Sequence, residues 1–246
     1  MDFESELPVY TSPCGYFSDR KNNFVITSLD DFTKKEALEE FDYLLSCGFR
    51  RSGRFFYANV CSNCSRCIPI RIPVKDFIIT KKYRRILKIN SDVIVENVDP
   101  EVNDEKIELF RKYSSIRHEN PSDSNSDYEN ALLNLHYGYS NIHEMNYFVN
   151  DKLVAVGILD LAQNSTSTNY FYFDPEYSKR SLGVFSVLKE IEFTLQSGKE
   201  FYYLGFYIEE SSKMRYKSQY QPAQLLINEE WIDFNKTDFT IYKSTT

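Results

Sequence analysis

The regular alternation of apolar runs and turn residues in the second half of the chain most constrains its fold. The segments MNYFV and KLVAVGILDL are separated by Asn150-Asp151, a pair typical of a two-residue hairpin turn. A third strand is predicted from Thr168 to Phe173. A helix with apolar residues at helical spacing is predicted from Leu182 to Gln196, and Gly198 and the buried strand FYYLGFYI follow it. The order hairpin, strand, helix, strand predicts a mixed α/β fold.

The first half of the chain contains one clear helix and several short strand-like segments. The helix is predicted from Thr33 to Cys47, because Thr33 and Glu36 have the spacing of a capping box. GFRRSGRFFY is predicted to form one strand. IPIRIPV (residues 68–74) is predicted to form another, confined by its prolines to a sheet edge. The pattern of KKYRRILK (residues 81–88) leaves a strand and a short helix open.

Asp99-Pro100 marks a predicted boundary, and helices are expected beyond it at residues 102–118 and 128–136. We predict an α/β (α+β) protein in two parts. Residues 1–98 form a smaller, cysteine-containing N-terminal region that includes a basic segment. Residues 99–246 form an acyltransferase domain of the N-acetyltransferase (GNAT-like) type with a mixed sheet, although other mixed folds share this order of elements.

One segment of the chain is strongly basic although the protein as a whole is acidic. Between Arg50 and Lys88 there are eleven Lys or Arg residues and a single acid, Asp76, which gives about +10. Because the whole chain carries −7, the remainder carries −17. Confining positive charge to one segment favours a local site for a polyanion. The interleaved aromatic residues suit stacking on unpaired bases, so nucleic-acid contact is favoured over an ordinary solvated strand.

The cysteines are too few and too clustered for a disulfide framework. Cys61, Cys64 and Cys67 are each separated by two residues, and Cys14 is the natural fourth ligand of a metal or iron–sulfur site. The alternative is a set of partly buried thiols that bind nothing. Cys47 is predicted to belong to the core because it ends a helix on the apolar side.

The sequence contains no nucleotide-binding fingerprint and no nucleophile motif. An activated group therefore has to arrive on a carrier, and no nucleotide cofactor is expected. Lys213, Tyr216 and Lys217 follow the last predicted strand, where cations could hold a phosphate or a carboxylate; a solvated turn is the alternative.

Several blocks, taken together, resemble a known family. DYLLSCGFRRSGRFFY, CSNCSRCIPIRIPVKDF, RHEN, FYFDPEYSKRSLGVFSVLKEIE and YYLGFYIEESSKMRYKSQYQPAQLL occur in the order and spacing of the arginyl-tRNA–protein transferases. The resemblance runs from about Cys14 to Leu226 and is closest to the shorter bacterial branch that transfers leucine. It implies transfer of Leu or Arg from aminoacyl-tRNA to the N-terminal amine of acceptor proteins that begin with Asp or Glu, which marks them for N-degron degradation.

The resemblance also implies roles for particular residues. An acidic acceptor side chain calls for a buried cation, so we predict that the acceptor contacts are Arg50, Arg51, Arg71, Lys213, Tyr216 and Lys217. We predict that the tRNA contacts are Arg54, Lys81, Lys82, Arg84 and Arg85. In the longer members of the family such cysteines bind an iron–sulfur cluster or zinc, which implies the same role for Cys14, Cys61, Cys64 and Cys67. No catalytic base is predicted, because the aminoacyl ester is already activated.

Two other functions remain open at the level of sequence. One is a CoA-dependent N-acetyltransferase, although SKRSLG before the Leu182 helix lacks the glycines of a pyrophosphate loop. The other is a non-catalytic RNA-binding module with a zinc knuckle. The chain has no signal peptide and no apolar stretch of bilayer length, so we expect a cytoplasmic protein without a membrane partner.

Overall fold

The computed structural model describes residues 7–117 and 125–234. In these residues the chain forms a four-stranded sheet, an eight-stranded sheet and the helices that cover them. The strands are β1 (Val9–Pro13), β2 (Lys21–Ser28), β3 (Arg50–Ser52), β4 (Phe55–Asn59), β5 (Ile68–Pro73), β6 (Ile94–Val98), β7 (Ile142–Val149), β8 (Lys152–Leu161), β9 (Ser165–Phe173), β10 (Phe201–Tyr207), β11 (Gln224–Ile227) and β12 (Glu230–Asp233). The helices are α1 (Lys34–Ser46), α2 (Lys81–Ile89), α3 (Asp104–Arg117), α4 (Asn125–Tyr137), α5 (Leu182–Gln196) and the short α6 (Ser212–Arg215).

The small sheet is antiparallel, with the strand order β1-β2-β4-β3. The large sheet has the order β12-β11-β5-β10-β9-β8-β7-β6, and within it β9 and β10 run parallel while the other neighbours are antiparallel. The mixed sheet is the α/β architecture that the sequence predicts. The division at residue 98 remains a prediction; β5 and β6 precede that point and pair with strands that follow it.

Each face of the large sheet is buried. On one face, α5 and α2 pack through Phe185, Leu188 and Ile86 against Ile70 and Tyr202. The other face packs against α1, α3, α4 and the small sheet, and its core contains the following residues: Phe41, Phe56, Phe110, Leu132, Val156 and Tyr203. Side chains alternate between the faces of a strand, and β8 is accordingly buried on both sides.

The clearest sequence signals are confirmed. Thr33 caps α1, because its hydroxyl accepts from the Glu36 amide while the Glu36 carboxylate accepts from the Thr33 amide. β7 and β8 form the expected hairpin, with φ of 50° at Asn150 and 61° at Asp151, as a type I′ turn requires. α5 has the predicted bounds. The helix expected at residues 102–118 is α3, although His118 lies outside the described residues.

Two strand predictions are wrong. GFRRSGRFFY forms a hairpin of β3 and β4, because Gly53 adopts a φ of +60° and reverses the chain. β5 is central rather than an edge strand. Its neighbour β11 pairs only with Ile70 and Arg71, so the missing amides of Pro69 and Pro73 fall outside that ladder. The segment left open at residues 81–88 is helical, and Thr80 caps it.

Candidate active site

The parallel strands β9 and β10 separate part-way along the large sheet. Their pairing covers three residues of each strand and ends at Ser167 and Tyr203. At this level the register also shifts in both flanking pairs, around Asn169 in β9 and Leu204 in β10. Such irregularities bend a strand and are frequent beside active sites. A gap therefore opens between two central strands of the sheet.

The guanidinium of Arg50 occupies this gap. Its Nη1 donates to Ser167 Oγ at 3.1 Å, and its Nη2 donates to the Thr168 carbonyl at 2.6 Å. Gly205 borders the guanidinium, and a Cβ at that position would lie 2.9 Å from Arg50 Cζ. Gly205 also has a φ of +88°, which L side chains rarely adopt. The glycine therefore provides both the space and the backbone conformation that let β3 insert this arginine between β9 and β10.

Lys217 is a second cation in the same place. It lies in a 3-10 turn after α6, is buried, and donates from Nζ to the Phe206 carbonyl at 2.9 Å. Burial, and then the positive charge of Arg50, lower the pKa of Lys217 to about 7. The hydrogen bonds seen for Arg50 and Lys217 thus go to neutral oxygens. A site that holds two cations in this way is suited to an anion.

Behind these cations lies a buried carboxyl group, Glu190 of α5. Tyr202 Oη donates to Glu190 Oε2 at 2.6 Å, and the Thr168 side chain lies close enough to favour the charged form of the carboxyl group. Glu190 Oε1 is buried and has no hydrogen-bond partner among the described residues. Burial raises the pKa of Glu190 to about 7, although Tyr202, Thr168 and the charge of Arg50 act in the opposite direction. We refer to Arg50, Lys217 and Glu190 as the gap site.

Sequence reasoning misses Glu190. The pattern of residues 182–196 indicates an ordinary amphipathic helix, yet Glu190 is 1% exposed, and Val187 and Thr194 on the same side of α5 are buried with it. The available signal is the helical spacing: this carboxylate lies three residues after one buried residue and four residues before another, on the same side of the helix.

A cleft of about 500 Å³ adjoins the gap site on the side of the small sheet. Phe206, whose carbonyl accepts from Lys217, lines this cleft, as does Tyr57, which pairs with Arg50 across β3 and β4. The remaining lining residues are mostly aromatic, apolar or neutral polar and come from the four strands of the small sheet and from the segments near Cys14 and Cys67. The cleft is large enough for part of a substrate beside the gap site.

The cysteine cluster borders the same cleft. Cys14, Cys61, Cys64 and Cys67 all line one small pocket, and Cys14 and Cys67 also line the large cleft. Burial, and then the neighbouring thiols, raise the pKa of Cys67 to about 12. The thiol donors suit zinc or an iron–sulfur cluster, yet as these side chains stand no three His, Cys, Asp or Glu residues in the described part of the chain converge on one ion. Cys47, predicted to be a core residue, is exposed, because it caps the end of α1.

Arg51, the neighbour of Arg50, points to a different environment. Its guanidinium forms a buried ion pair with Asp160 at 2.8 Å and donates to the carbonyls of Gly53, Asn134 and Leu135. Asn169 completes the group by donating to the second Asp160 oxygen at 2.8 Å. These partners satisfy the hydrogen-bonding capacity of the guanidinium, and the Arg51 side chain is fully buried. Arg51 therefore stabilises the packing of the β3–β4 hairpin against β8 and α4.

The other predicted acceptor contacts lie apart from the gap site. Arg71 is half-buried, donates to Gln224 and Tyr203, and stacks 3.8 Å from the Phe201 ring centre and 4.3 Å from that of Trp231. Lys213 and Tyr216 are exposed on the segment that leads to Lys217. The structure therefore brings Arg50 and Lys217 together, out of the six predicted acceptor contacts.

Four of the five predicted tRNA contacts share one exposed helix face. Lys81, Lys82, Arg84 and Arg85 are exposed on α2, while Tyr83 and Ile86 on its other side are buried. α2 packs against the segment of Lys217, since Lys82 and Tyr83 both donate to Gln219. The fifth contact, Arg54, lies instead in the turn between β3 and β4, where it pairs with Asp30 at 2.5 Å and stacks on Phe55, a residue that lines the cleft.

This arrangement is that of a GNAT-like fold. The solved structure of FemX shares the fold, with a TM-score of 0.50 at 11% identity over 84% of this chain and 70% of that one. The expected GNAT-like architecture is thereby confirmed.

The sequence comparisons identify the family within this class. Residues 12–85 match the profile described as arginine-tRNA-protein transferase, N terminus, and residues 105–227 match that of its C terminus. An aspartate/glutamate leucyltransferase of Pseudomonas fluorescens is 33% identical over 90% of this chain and 93% of its own length. The leucyltransferase of Saccharophagus degradans is 34% identical over 94% and 98%.

The chain belongs to the arginine-tRNA–protein transferase family, and it is an aminoacyltransferase that acts on aminoacyl-tRNA and protein substrates. Among the three functions that the sequence leaves open, the comparisons therefore support the first. In the described part of the chain, no helix combines the length and apolar character needed to cross a membrane.

Proposed function

We propose that this enzyme transfers leucine, or arginine, from charged tRNA to the N-terminal amine of proteins that begin with Asp or Glu. The observation that carries the proposal is the meeting of Arg50 and Lys217, 167 positions apart in sequence, in the gap between β9 and β10. The names of the relatives supply the acceptor class and favour leucine as the donor. In this proposal the products are marked for N-degron degradation in the cytoplasm.

The reaction needs little chemical activation from the protein. The acceptor α-amine has an ordinary pKa near 8, so a usable neutral fraction exists at pH 7. Its nitrogen attacks the ester carbonyl of the aminoacyl-tRNA, a C–N bond forms, and the C–O bond to the terminal ribose breaks. The proton that the amine loses is balanced by the proton that the ribose hydroxyl gains. The contribution of the protein is to align amine and ester and to stabilise the transient oxyanion.

In this proposal Arg50 recognises the acidic side chain of the acceptor. Its planar guanidinium is held in place by Ser167 and Thr168, so a forked contact with a carboxylate requires no further ordering. Lys217 adds a second positive charge whose strength depends on pH, since its pKa is about 7. Arg51 is excluded from this role by its ion pair with Asp160. Arg71, Lys213 and Tyr216 are left as contacts with more distant parts of a substrate.

The exposed face of α2 is the proposed tRNA contact. Its four cations lie on the exposed face of the helix, whereas its buried apolar side chains lie on the opposite side. The helix also adjoins the segment that carries Lys217. Phosphates bound along α2 would therefore bring the 3′ end of the tRNA towards the gap site. Arg54 would act separately, from the turn between β3 and β4.

For the cysteines we propose a zinc ion or iron–sulfur cluster held by Cys14, Cys61, Cys64 and Cys67. The shared pocket and the soft thiol donors support this, and the side chains would have to turn inward to converge. No step of the transfer is assigned to this group. Anaerobically purified protein should contain zinc or iron, and Cys64→Ser should lose it; fresh protein free of both metals would contradict the proposal.

The test of the function is a transfer assay. Leu-tRNA and Arg-tRNA, each labelled in the amino acid, are incubated with the protein and with peptides that differ only in a first residue of Asp, Glu, Lys or Ala. We expect labelled Asp and Glu peptides and little label on Lys or Ala peptides. Acetyl-CoA in place of the tRNA is the control for an acetyltransferase. Equal labelling of all four peptides, or none, would contradict the proposed acceptor specificity.

A further inference from the structure

Glu190 has no assigned role, although it is the best-buried acid near the two cations. Its carboxyl group lies beneath the large sheet and against four of its strands. Tyr202 of β10 donates to it, and Tyr147 of β7 lies close enough to interact electrostatically. A Cβ at Gly157 of β8 would lie 3.4 Å from Glu190 Oε1. The Thr168 side chain, on β9, lies close enough from the fourth strand to favour the charged carboxylate. A carboxyl group is costly to bury among these elements, and Glu190 Oε1 remains without a partner among the described residues.

Thr168 connects this carboxyl group to Arg50. The Thr168 side chain lies near Glu190 and favours its charged form, while the carbonyl of the same residue accepts from Arg50 Nη2 at 2.6 Å. Thr168 lies just beyond the last residue of β9 that pairs with β10. One residue at the edge of the gap thus joins the buried acid to the arginine that faces the substrate.

We propose that Glu190 is a positioning residue for acceptor selection, which acts through Thr168 on Arg50 and sets the net charge that the gap site presents to an acidic N-terminal side chain. This inference rests on the proposed function, because it presumes that Arg50 contacts the acceptor. Glu190 is buried in the core of the sheet and does not itself touch the substrate.

The charge of the gap site changes sharply near neutral pH. Below pH 7 Glu190 is neutral while Arg50 and Lys217 are positive, which gives a net charge of +2; above pH 7 Glu190 is negative and Lys217 neutral, which gives zero. The other titratable groups that face Glu190 are the phenols of Tyr147, Tyr202 and Tyr220. Burial raises the pKa of each well above its ordinary value of 10.0, so these phenols stay neutral between pH 6 and 8.

The site therefore attracts an acidic acceptor more strongly at pH 6 than at pH 8. We expect the KM of an Asp-starting peptide to rise roughly tenfold over this range in the wild-type enzyme. Glu190→Gln keeps the shape of the side chain and the hydrogen bond from Tyr202. In this variant the net charge of the gap site falls only from +2 to +1. The rise in KM should then be roughly threefold. The titration of the peptide's own α-amine is the same for both enzymes and cancels in their ratio.

Three further variants make the test independent of folding. Tyr202→Phe removes the hydrogen bond that favours the charged carboxylate, so the rise in KM should move to higher pH. Glu192→Gln, on the exposed side of the same helix, where Glu192 pairs with Lys189, is the matched control and should behave as wild type. Partial recovery of the wild-type profile in Glu190→Asp would further support a role for the charge.

Two results would contradict the role proposed for Glu190. If KM rises equally in wild type and Glu190→Gln, or if Tyr202→Phe leaves the midpoint where it was, Glu190 does not set the charge of the site. The proposed function is tested separately by Arg50→Ala. If that variant keeps its preference for acidic peptides, the function assigned to Arg50 fails first. If it loses the preference while the Glu190 variants titrate like wild type, only the further inference fails.

Discussion

Arg50 and Arg51 are neighbours in sequence, yet the structure surrounds them in opposite ways. Arg51 faces a carboxylate and three carbonyls and is completely buried. Arg50 lies between two strands that have separated, bonds a hydroxyl and a carbonyl, and shares its surroundings with a second cation. A satisfied charge fixes the fold, whereas an incompletely compensated one is available to a substrate. The two arginines therefore allow stability and recognition to be separated by mutation.

The largest effect is expected for Arg51→Ala. The substitution leaves Asp160 buried without its cation and also removes the donors to Gly53, Asn134 and Leu135. Breaking a buried pair from one side costs about 3–5 kcal/mol of unfolding free energy. Urea titration at pH 7 should show this loss, while Arg54→Ala, which breaks an exposed pair in the same hairpin, should change stability by less than about 1 kcal/mol. Equal stability of Arg51→Ala and wild type would remove the contrast on which this assignment rests.

Arg50→Ala should show the converse pattern. Truncating one partner of a desolvated contact with a carboxylate costs about 2–3 kcal/mol, which is about 30- to 150-fold in kcat/KM for Asp- and Glu-starting peptides. Residual transfer to an Ala-starting peptide should change far less, and unfolding free energy should stay within about 1 kcal/mol of wild type. Arg50→Lys is the matched variant: it keeps the charge, loses the fork, and should recover only part of the selectivity. A decrease of the same proportion on all peptides would assign Arg50 to the tRNA instead.

The sequence predicts Arg50 and Arg51 as equals because both belong to the same block. Adjacent residues of a strand point to opposite faces, and nothing in the local pattern tells which face meets the gap and which meets Asp160. The same limit applies to β5, whose central position depends on a two-residue ladder with β11 that only the tertiary structure reveals. By contrast α1, the β7–β8 hairpin and α5 follow from caps, turn residues and periodicity, which act over a few residues.

Lys217→Met should stabilise the protein while impairing recognition. Burial lowers the pKa of Lys217 to about 7, below that of a lysine in the unfolded chain, so at pH 6 the folded state holds a charge that burial disfavours. Removing this charge should raise the unfolding free energy at pH 6 by about 2 kcal/mol. This is a net value that includes the loss of the hydrogen bond to the Phe206 carbonyl.

The sign of the pH dependence follows from linkage. Between pH 7 and 10.5 the unfolded wild type binds more protons at this lysine than the folded state does, so wild-type stability rises with pH and the advantage of the variant shrinks. Thermal unfolding at pH 6 and pH 9 measures both values. A variant less stable than wild type at pH 6 would show that Lys217 is a satisfied structural lysine, comparable to Arg51 rather than to Arg50.

The smallest effect, and the one that separates tRNA binding from acceptor choice, is expected for the double variant Arg84→Ala/Arg85→Ala. Both side chains are exposed on α2, so stability should be unaffected. Removing each arginine–phosphate interaction should lower the slope of log affinity against log salt by about 0.7–0.9. We expect tRNA affinity to fall about tenfold at low salt. Transfer should fall in the same proportion on Asp-, Glu- and Ala-starting peptides, because the acceptor contacts are untouched.

Lys34→Ala/Lys35→Ala, which removes two exposed charges at the start of α1, is the control of equal charge change. If both double variants alter the salt slope equally, tRNA senses overall charge rather than α2. If the α2 variant instead loses activity on acidic acceptors alone, the basic helix belongs with Arg50 to acceptor recognition, and the contrast between exposed and buried cations does not hold.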